Sequence, residues 1–232
     1  MQRSSDFRKT NYHVWAQLNN LFNENKRRFP CLFAISSFNK GQMWVRAIDD
    51  MSLFFDAIAE DLIKLSETAP SELNETEKSL TTYVAVVNNK SSSSPASETE
   101  FLTHTLQSLR GLDPKEWPEK RTKNTNDPEF EFYFNNKIWF PVFLSPWHRS
   151  LIRQAPYIAI AFQPGSTFDH NKSKTPDRYE RMRKSIHSRI DCFYMNDRPY
   201  YLSQKSSGKN ICQYIGYDET ENNPNFSFPR LP

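Results

Sequence analysis

Two apolar runs, residues 138–144 and 157–162, flank the polar stretch 145–153, and this arrangement constrains the fold more than any other feature of the chain. Each run is short and rich in β-branched and aromatic residues. With prolines at their borders (Pro146, Pro156, Pro164), both read as buried strands. The link between them carries Trp147, His148, Arg149 and Arg153. Loops held by a rigid scaffold are where binding chemistry concentrates. The plainer alternative is a solvated loop whose His and Arg side chains satisfy local carbonyls.

A chain of 232 residues is long enough for one large domain with a sizeable core. The mean hydropathy is low, −0.76, yet 14% of the residues are aromatic, so the core is built from large rings more than from aliphatics. No apolar run approaches the ~20 residues that span a bilayer, and the N-terminus lacks the apolar segment of a secretory signal. The expectation is a cytoplasmic protein with no membrane contact. Cys31, Cys192 and Cys212 are odd in number and form no CxxC pair, which disfavours a disulfide framework or structural zinc. A net charge of +3 disfavours nucleic acid as a partner, although Arg178, Arg181, Arg183, Lys184 and Arg189 crowd one segment.

Periodicity predicts a helix over 11–26, a strand at 31–35, a turn at Asn39-Lys40-Gly41 and a second strand at 43–48, the two strands forming a hairpin. A helix from about 53 to 65, a strand at 82–87, a flexible loop at 88–98 and a helix over 98–110 follow. Strands at 129–134, 138–144 and 157–163 precede a last helix at about 177–190, and 196–232 reads as an irregular tail lying over the domain surface. Together these elements predict a single α+β domain over 1–232, a mixed, largely antiparallel sheet covered by α-helices.

The common catalytic constellations are missing. The five glycines form neither a dinucleotide fingerprint nor a P-loop, and the five histidines show no HExxH pattern. Single residues in apolar surroundings remain. Cys31 is either a small buried hydrophobe or, with guanidinium groups nearby, a thiolate nucleophile or metal ligand. His148 is either a core-edge imidazole bonded to a carbonyl or an axial ligand to iron. Glu131 alternates with Phe130 and Phe132, so it faces solvent or a cavity, where a guanidinium would suit it.

Several segments together resemble the YqcI/YcgG family of bacterial proteins. Arg28-Phe29-Pro30-Cys31 is similar to its FPC signature, and residues 113–118 (DPKEWP) to its D-P-x-x-W-P segment. Residues 130–135 (FEFYFN) resemble its W-E-F-x-F stretch, and 145–153 followed by Phe162-Gln163-Pro164 its P-x-H-x-x-R and F-Q-P blocks. The resemblance implies a haem-dependent oxygenase (haem b) that hydroxylates a guanidino nitrogen of arginine or an arginine-derived small molecule in specialised metabolism. It places His148, with Cys31 as the alternative, at the iron and Glu131 at the substrate. Arg27, Arg46, Trp147, Arg149 and Arg153, with Cys31, are expected around the cofactor. Such an enzyme takes O2 or peroxide. With no nicotinamide or flavin fingerprint, it draws electrons from a separate ferredoxin or reductase, for which the basic 178–189 segment offers a docking face. The competing readings are a cofactor-free small-molecule binding protein of the same fold, and an interaction module built on that basic segment.

Overall fold

The protein is represented by a computed structural model that describes residues 1–24, 29–68, 72–87, 98–195, 198, 202, 210–216, 227 and 231. Its centre is strand β3 (Thr82–Val87), in which all six residues are buried. Tyr83, Ala85 and Val87 face one apolar layer, and Val84 and Val86 the other. A strand buried on both faces reads as a continuous apolar run rather than an alternating one, as TYVAVV does. It must be paired on both edges. β2 (Met43–Ile48) pairs with it in parallel and β6 (Ala159–Pro164) antiparallel.

Outward from this core, β1 (Gln2–Arg3) joins β2, β5 (Lys137–Leu144) joins β6, and β4 (Phe132–Phe134) closes the far edge. The six-stranded order is β1-β2-β3-β6-β5-β4. Only the β2–β3 pair is parallel, so the sheet is mixed and mostly antiparallel, and the fold is α+β as expected. β4 ends opposite Trp139, so the missing N–H of Pro141 costs no bond to β4.

Helices cover both faces. Against Tyr83 and Phe162 pack α4 (Phe54–Glu67), α6 (Glu98–Gly111) and α9 (Asn210–Ile215), through Phe54, Leu106 and Tyr214 among others. Against Val45 and Val84 pack α1 (Ser4–Thr10), α2 (Tyr12–Asn19) with its π-helical extension at Asn20–Glu24, and α3 (Leu32–Asn39). α5 (Glu75–Leu80) starts with a reciprocal cap, in which Asn74 accepts from the Glu77 N–H and the Glu77 carboxylate accepts from the Asn74 N–H. α7 (Gly165–Lys174) and α8 (Pro176–Phe193) follow β6. No described helix is long and apolar enough to cross a membrane.

Four expectations need correction. Residues 31–35 are the start of helix α3, not a strand, so the 31–35/43–48 hairpin does not exist. Cys31 caps this helix, its Sγ accepting the Ala34 N–H at 3.4 Å. Gly41, at φ +67°, ends it, with Gly41 N–H donating to Phe38 O and Gln42 N–H to Ser37 O. A five-residue apolar run is ambiguous in period, and the capping at both ends decides it. The strand at 129–134 is reduced to 132–134, because Glu129 is held in a turn by Asp127 and the Phe130 N–H bonds back to Asp127 O. Helices α1, α5 and α7 carry little apolar periodicity and were not expected. Within the predicted irregular tail, 210–215 is helix α9, four of whose residues are buried. The loop at 88–97 lies outside the described residues.

Arg46, expected at a cofactor, faces α4 instead. Its guanidinium donates to Asp61, which is fully buried, at 2.9 Å and to Glu60 at 3.0 Å. Burial and the adjacent Asp61 carboxylate push the Tyr83 hydroxyl well above its ordinary range. Removing the cation leaves a buried carboxylate short of its partner. Arg46→Met is expected to lower stability by about 2–3 kcal/mol, discounted for the partial exposure of the arginine. The urea midpoint should fall at an unchanged denaturant slope; an unmoved midpoint would show that Asp61 does not depend on this pair.

Candidate functional site

The polar stretch between β5 and β6 is a closed loop. Ser145 N–H donates to Arg153 O at 3.2 Å, and Ala155 N–H to Ser145 O at 3.1 Å. The Gln154 amide crosses inside it to His148 O at 3.0 Å. A short 3₁₀ turn at Leu151–Arg153 completes the circuit. The loop thereby points some side chains inward and others out. Trp147 is 48% exposed, and Arg149 is exposed with its backbone N–H bonded to Glu98 at 3.1 Å.

His148 points inward and is fully buried. Its Nδ1 accepts the Ser150 N–H at 3.0 Å, so the ring proton sits on Nε2, which donates to the Ile215 carbonyl at 2.8 Å. Both nitrogens are thus in use, in the neutral tautomer. Burial, reinforced by the Arg153 charge, pushes this imidazole down to about 4 despite the favourable Ile215 carbonyl. The bond carries the loop onto α9. In this arrangement, ligating iron through Nε2 requires giving up the Ile215 bond.

Arg153 makes the second tie to α9, donating to Gln213 O at 2.8 Å. Gly216 follows α9 with φ +99°, and a Cβ there would lie 2.6 Å from Arg153 Cγ, so only glycine admits this approach. The Arg153 charge acts on two groups, His148 and the Cys31 thiol. Burial pushes Cys31 up; Arg153 and the N–H groups of Phe33 and Ala34 pull against it with less effect. Around Cys31 the chain is held by Arg189 of α8, which donates to Phe29 O at 2.9 Å, and by Phe33, whose ring meets Phe168 and Tyr179.

The expected site residues therefore divide. Cys31, His148 and Arg153 are brought together from segments more than a hundred residues apart. Trp147 and Arg149 lie on the outer side of the same loop, Arg46 serves α4, and Arg27 lies outside the described residues. Glu131 stands opposite the fully buried Phe130 and Phe132, as the alternation predicts. It already holds a guanidinium: its Oε2 accepts from Arg121 Nη1 and from the Tyr133 hydroxyl, each at 3.3 Å. α9 packs against both regions, Tyr214 meeting Phe130 on one side while Gln213 and Ile215 take the loop on the other. Gln213, Ile215 and Gly216 were missed from the sequence, where only the apolar residues around Gly216 marked them. Among the described residues, no three of His, Cys, Asp and Glu converge to hold a metal ion.

For haem, the donor set fits at Cys31 rather than at His148. The thiol is partly buried and its sulfur is met, among the described residues, only by the backbone N–H groups of Ala34 and Phe33, while the charge of Arg153 offsets that of a thiolate. Because burial keeps the free thiol protonated, metal binding there would release a proton.

The YqcI/YcgG family matches the chain over residues 6–228. The chain is also similar to the uncharacterized protein YqcI of Bacillus subtilis (strain 168), 25% identical over 180 residues that cover 76% of this chain and 70% of that one. No solved structure matches it.

The His148 lock has a pH signature. The folded imidazole, at about 4, lies below its ordinary 6.5, so as pH falls the unfolded chain takes up the proton first. The site's contribution is whole above about pH 6.5 and is lost on acidification toward pH 4, by ~3 kcal/mol at about 1.4 kcal/mol per unit. Urea denaturation across that window should show this loss in the wild type and its absence in His148→Asn. An identical loss in the variant would assign the proton uptake to another group.

Proposed function

The chain belongs to the YqcI/YcgG family, and on that premise we propose that it is a cytoplasmic, haem-dependent oxygenase that hydroxylates a guanidino nitrogen of a small molecule, with Cys31 as the iron ligand. The observation that carries this reading is the meeting, at the Arg153 charge, of two segments that resemble the family's signatures. These are Phe29-Pro30-Cys31 at the head of α3 and the loop that holds His148.

Bound haem supplies an iron that activates O2, which protein side chains cannot do alone. The residues around it perform simpler tasks. With iron bound, the Arg153 guanidinium would offset the charge of the Cys31 thiolate. The neutral His148 fixes the loop and α9 as one wall, and its low basicity keeps a proton from entering there at neutral pH. Overall, one oxygen atom of O2 enters the substrate N–H bond as N–OH. The other leaves as water, taking two electrons from a separate ferredoxin or reductase and two protons from solvent. The exposed cations Arg178, Arg181 and Lys184 of α8 suit an acidic carrier. Glu131 is the proposed substrate contact, where a guanidinium would replace that of Arg121.

Two measurements test this. Addition of haem to the purified protein should produce a Soret band, and its ferrous–CO spectrum should be of the thiolate type. Cys31→Ser should abolish that spectrum, and His148→Ala should keep it wherever the variant folds. A wild type that takes up no haem, or a Cys31→Ser protein with an unchanged spectrum, overturns the assignment. For the substrate side, arginine titrated into the haem-loaded protein should shift the Soret band, with affinity weakened at least tenfold in Glu131→Gln. Equal shifts at equal concentrations would place Glu131 outside the site.

A further inference from the structure

Away from Cys31 and His148, the ends of α3 and α7 and the faces of α5 and α8 line an open cavity of about 210 Å³. Its lining collects three cations from three elements: Lys40 just after α3, Lys174 of α7 and Arg178 of α8. The hydroxyl-bearing Ser36 and Thr76 also line it. Among the described residues, no carboxylate lies within ion-pair distance of any of the three cations. The one carboxylate on the wall, Glu75, pairs with Lys78 at 3.3 Å and His170 at 3.3 Å and also lies in the field of Lys174.

Like charges brought to one concave surface repel, and a bound anion is the simplest compensation. The balance of charge favours an anion: three cations face one carboxylate, which Lys78 and His170 also engage. Arginine offers a two-pronged donor and lysine a mobile point charge, the combination that suits phosphate oxygens.

The ligand's other half is indicated next door. His170 also lines a second cavity of about 200 Å³, whose walls are largely apolar and include Leu65, Leu73, Ile138, Trp139 and Pro164. The two cavities therefore meet at one side chain, a polar cationic chamber beside an apolar one. We propose that together they bind an organic phosphate monoester, its phosphate among Lys40, Lys174 and Arg178 and its apolar portion against Ile138 and Trp139. This site shares no residue with Cys31, Arg153 or His148, and Arg178 is the one cation it has in common with the proposed carrier-docking face.

The test is calorimetric titration of the full-length protein, without added haem, with inorganic phosphate and with hexyl phosphate. Hexyl phosphate should bind about tenfold more tightly than inorganic phosphate, because only it reaches the apolar chamber. Arg178→Ala and Lys40→Ala should each weaken hexyl phosphate about tenfold, and binding should fall as salt rises. Both substitutions are at exposed positions, so circular dichroism should show the fold retained. A free phosphate ester and a lipid headgroup share this chemistry. Co-sedimentation with phosphatidic acid vesicles that Arg178→Ala abolishes would assign the phosphate to lipid, and no sedimentation to a soluble ester. No binding of either probe up to about 10 mM, or unchanged affinity in both variants, overturns the proposal. Equal affinity for the two probes removes the apolar chamber from it.

Discussion

A strand with no residue in reach of water must find hydrogen-bond partners along both edges and apolar cover on both faces, and β3 imposes these demands on the rest of the chain. Its edges are met by β2 and β6, its faces by two helical layers. The parallel pairing with β2 requires a long crossover, which α4 and α5 supply between Ile48 and Thr82. The antiparallel pairing with β6 brings the β5–β6 connection to the end of the sheet where β3 also ends. The position of the 145–155 loop is thus a consequence of how β3 is buried.

Within that frame, one neutral imidazole joins parts of the chain that the sheet does not. His148 receives a backbone N–H from its own loop and gives its proton to the end of α9, a bond that spans 67 residues of sequence. A buried ring of this kind is satisfied only when uncharged, because a proton on Nδ1 would set a donor against the Ser150 N–H. Arg153 repeats the connection to α9 at Gln213 and extends its field to Cys31. Loop and α9 are consequently coupled, and loss of either leaves polar groups of the other without partners.

This coupling decides which residue is suited to chemistry. A histidine beside an arginine invites assignment as ligand or base, yet the fold uses both of its nitrogens to hold the backbone. The less conspicuous cysteine keeps a sulfur that is met only by backbone N–H groups, within the field of a positive charge that suits its ionised form. The oxygenase reading therefore draws on a division of labour, with His148 positioning the wall and Cys31 presenting a soft donor. The cationic chamber at Lys40, Lys174 and Arg178 lies on different elements and places a second demand on the same scaffold.

From sequence alone, the mixed α+β character, strands β2, β3, β5 and β6 and helices α4, α6 and α8 could be read, because each carries enough period or β-branched content to declare itself over six or more residues. The alternation that buries Phe130, Phe132 and Phe134 and turns Glu131 outward was legible for the same reason. The helix at 32–39 was not, since five apolar residues fit either period and only the Cys31 cap and the Gly41 stop decide between them. Nor was α9, whose six residues are helical because the sheet edge and the 145–155 loop pack against them. Likewise, Glu131 was a carboxylate suited to a guanidinium in sequence, but only the fold shows that Arg121 occupies it. Residue types and local periods reside in the sequence. Whether a donor atom is free or engaged depends on partners as far as 160 residues away, and only tertiary packing decides that.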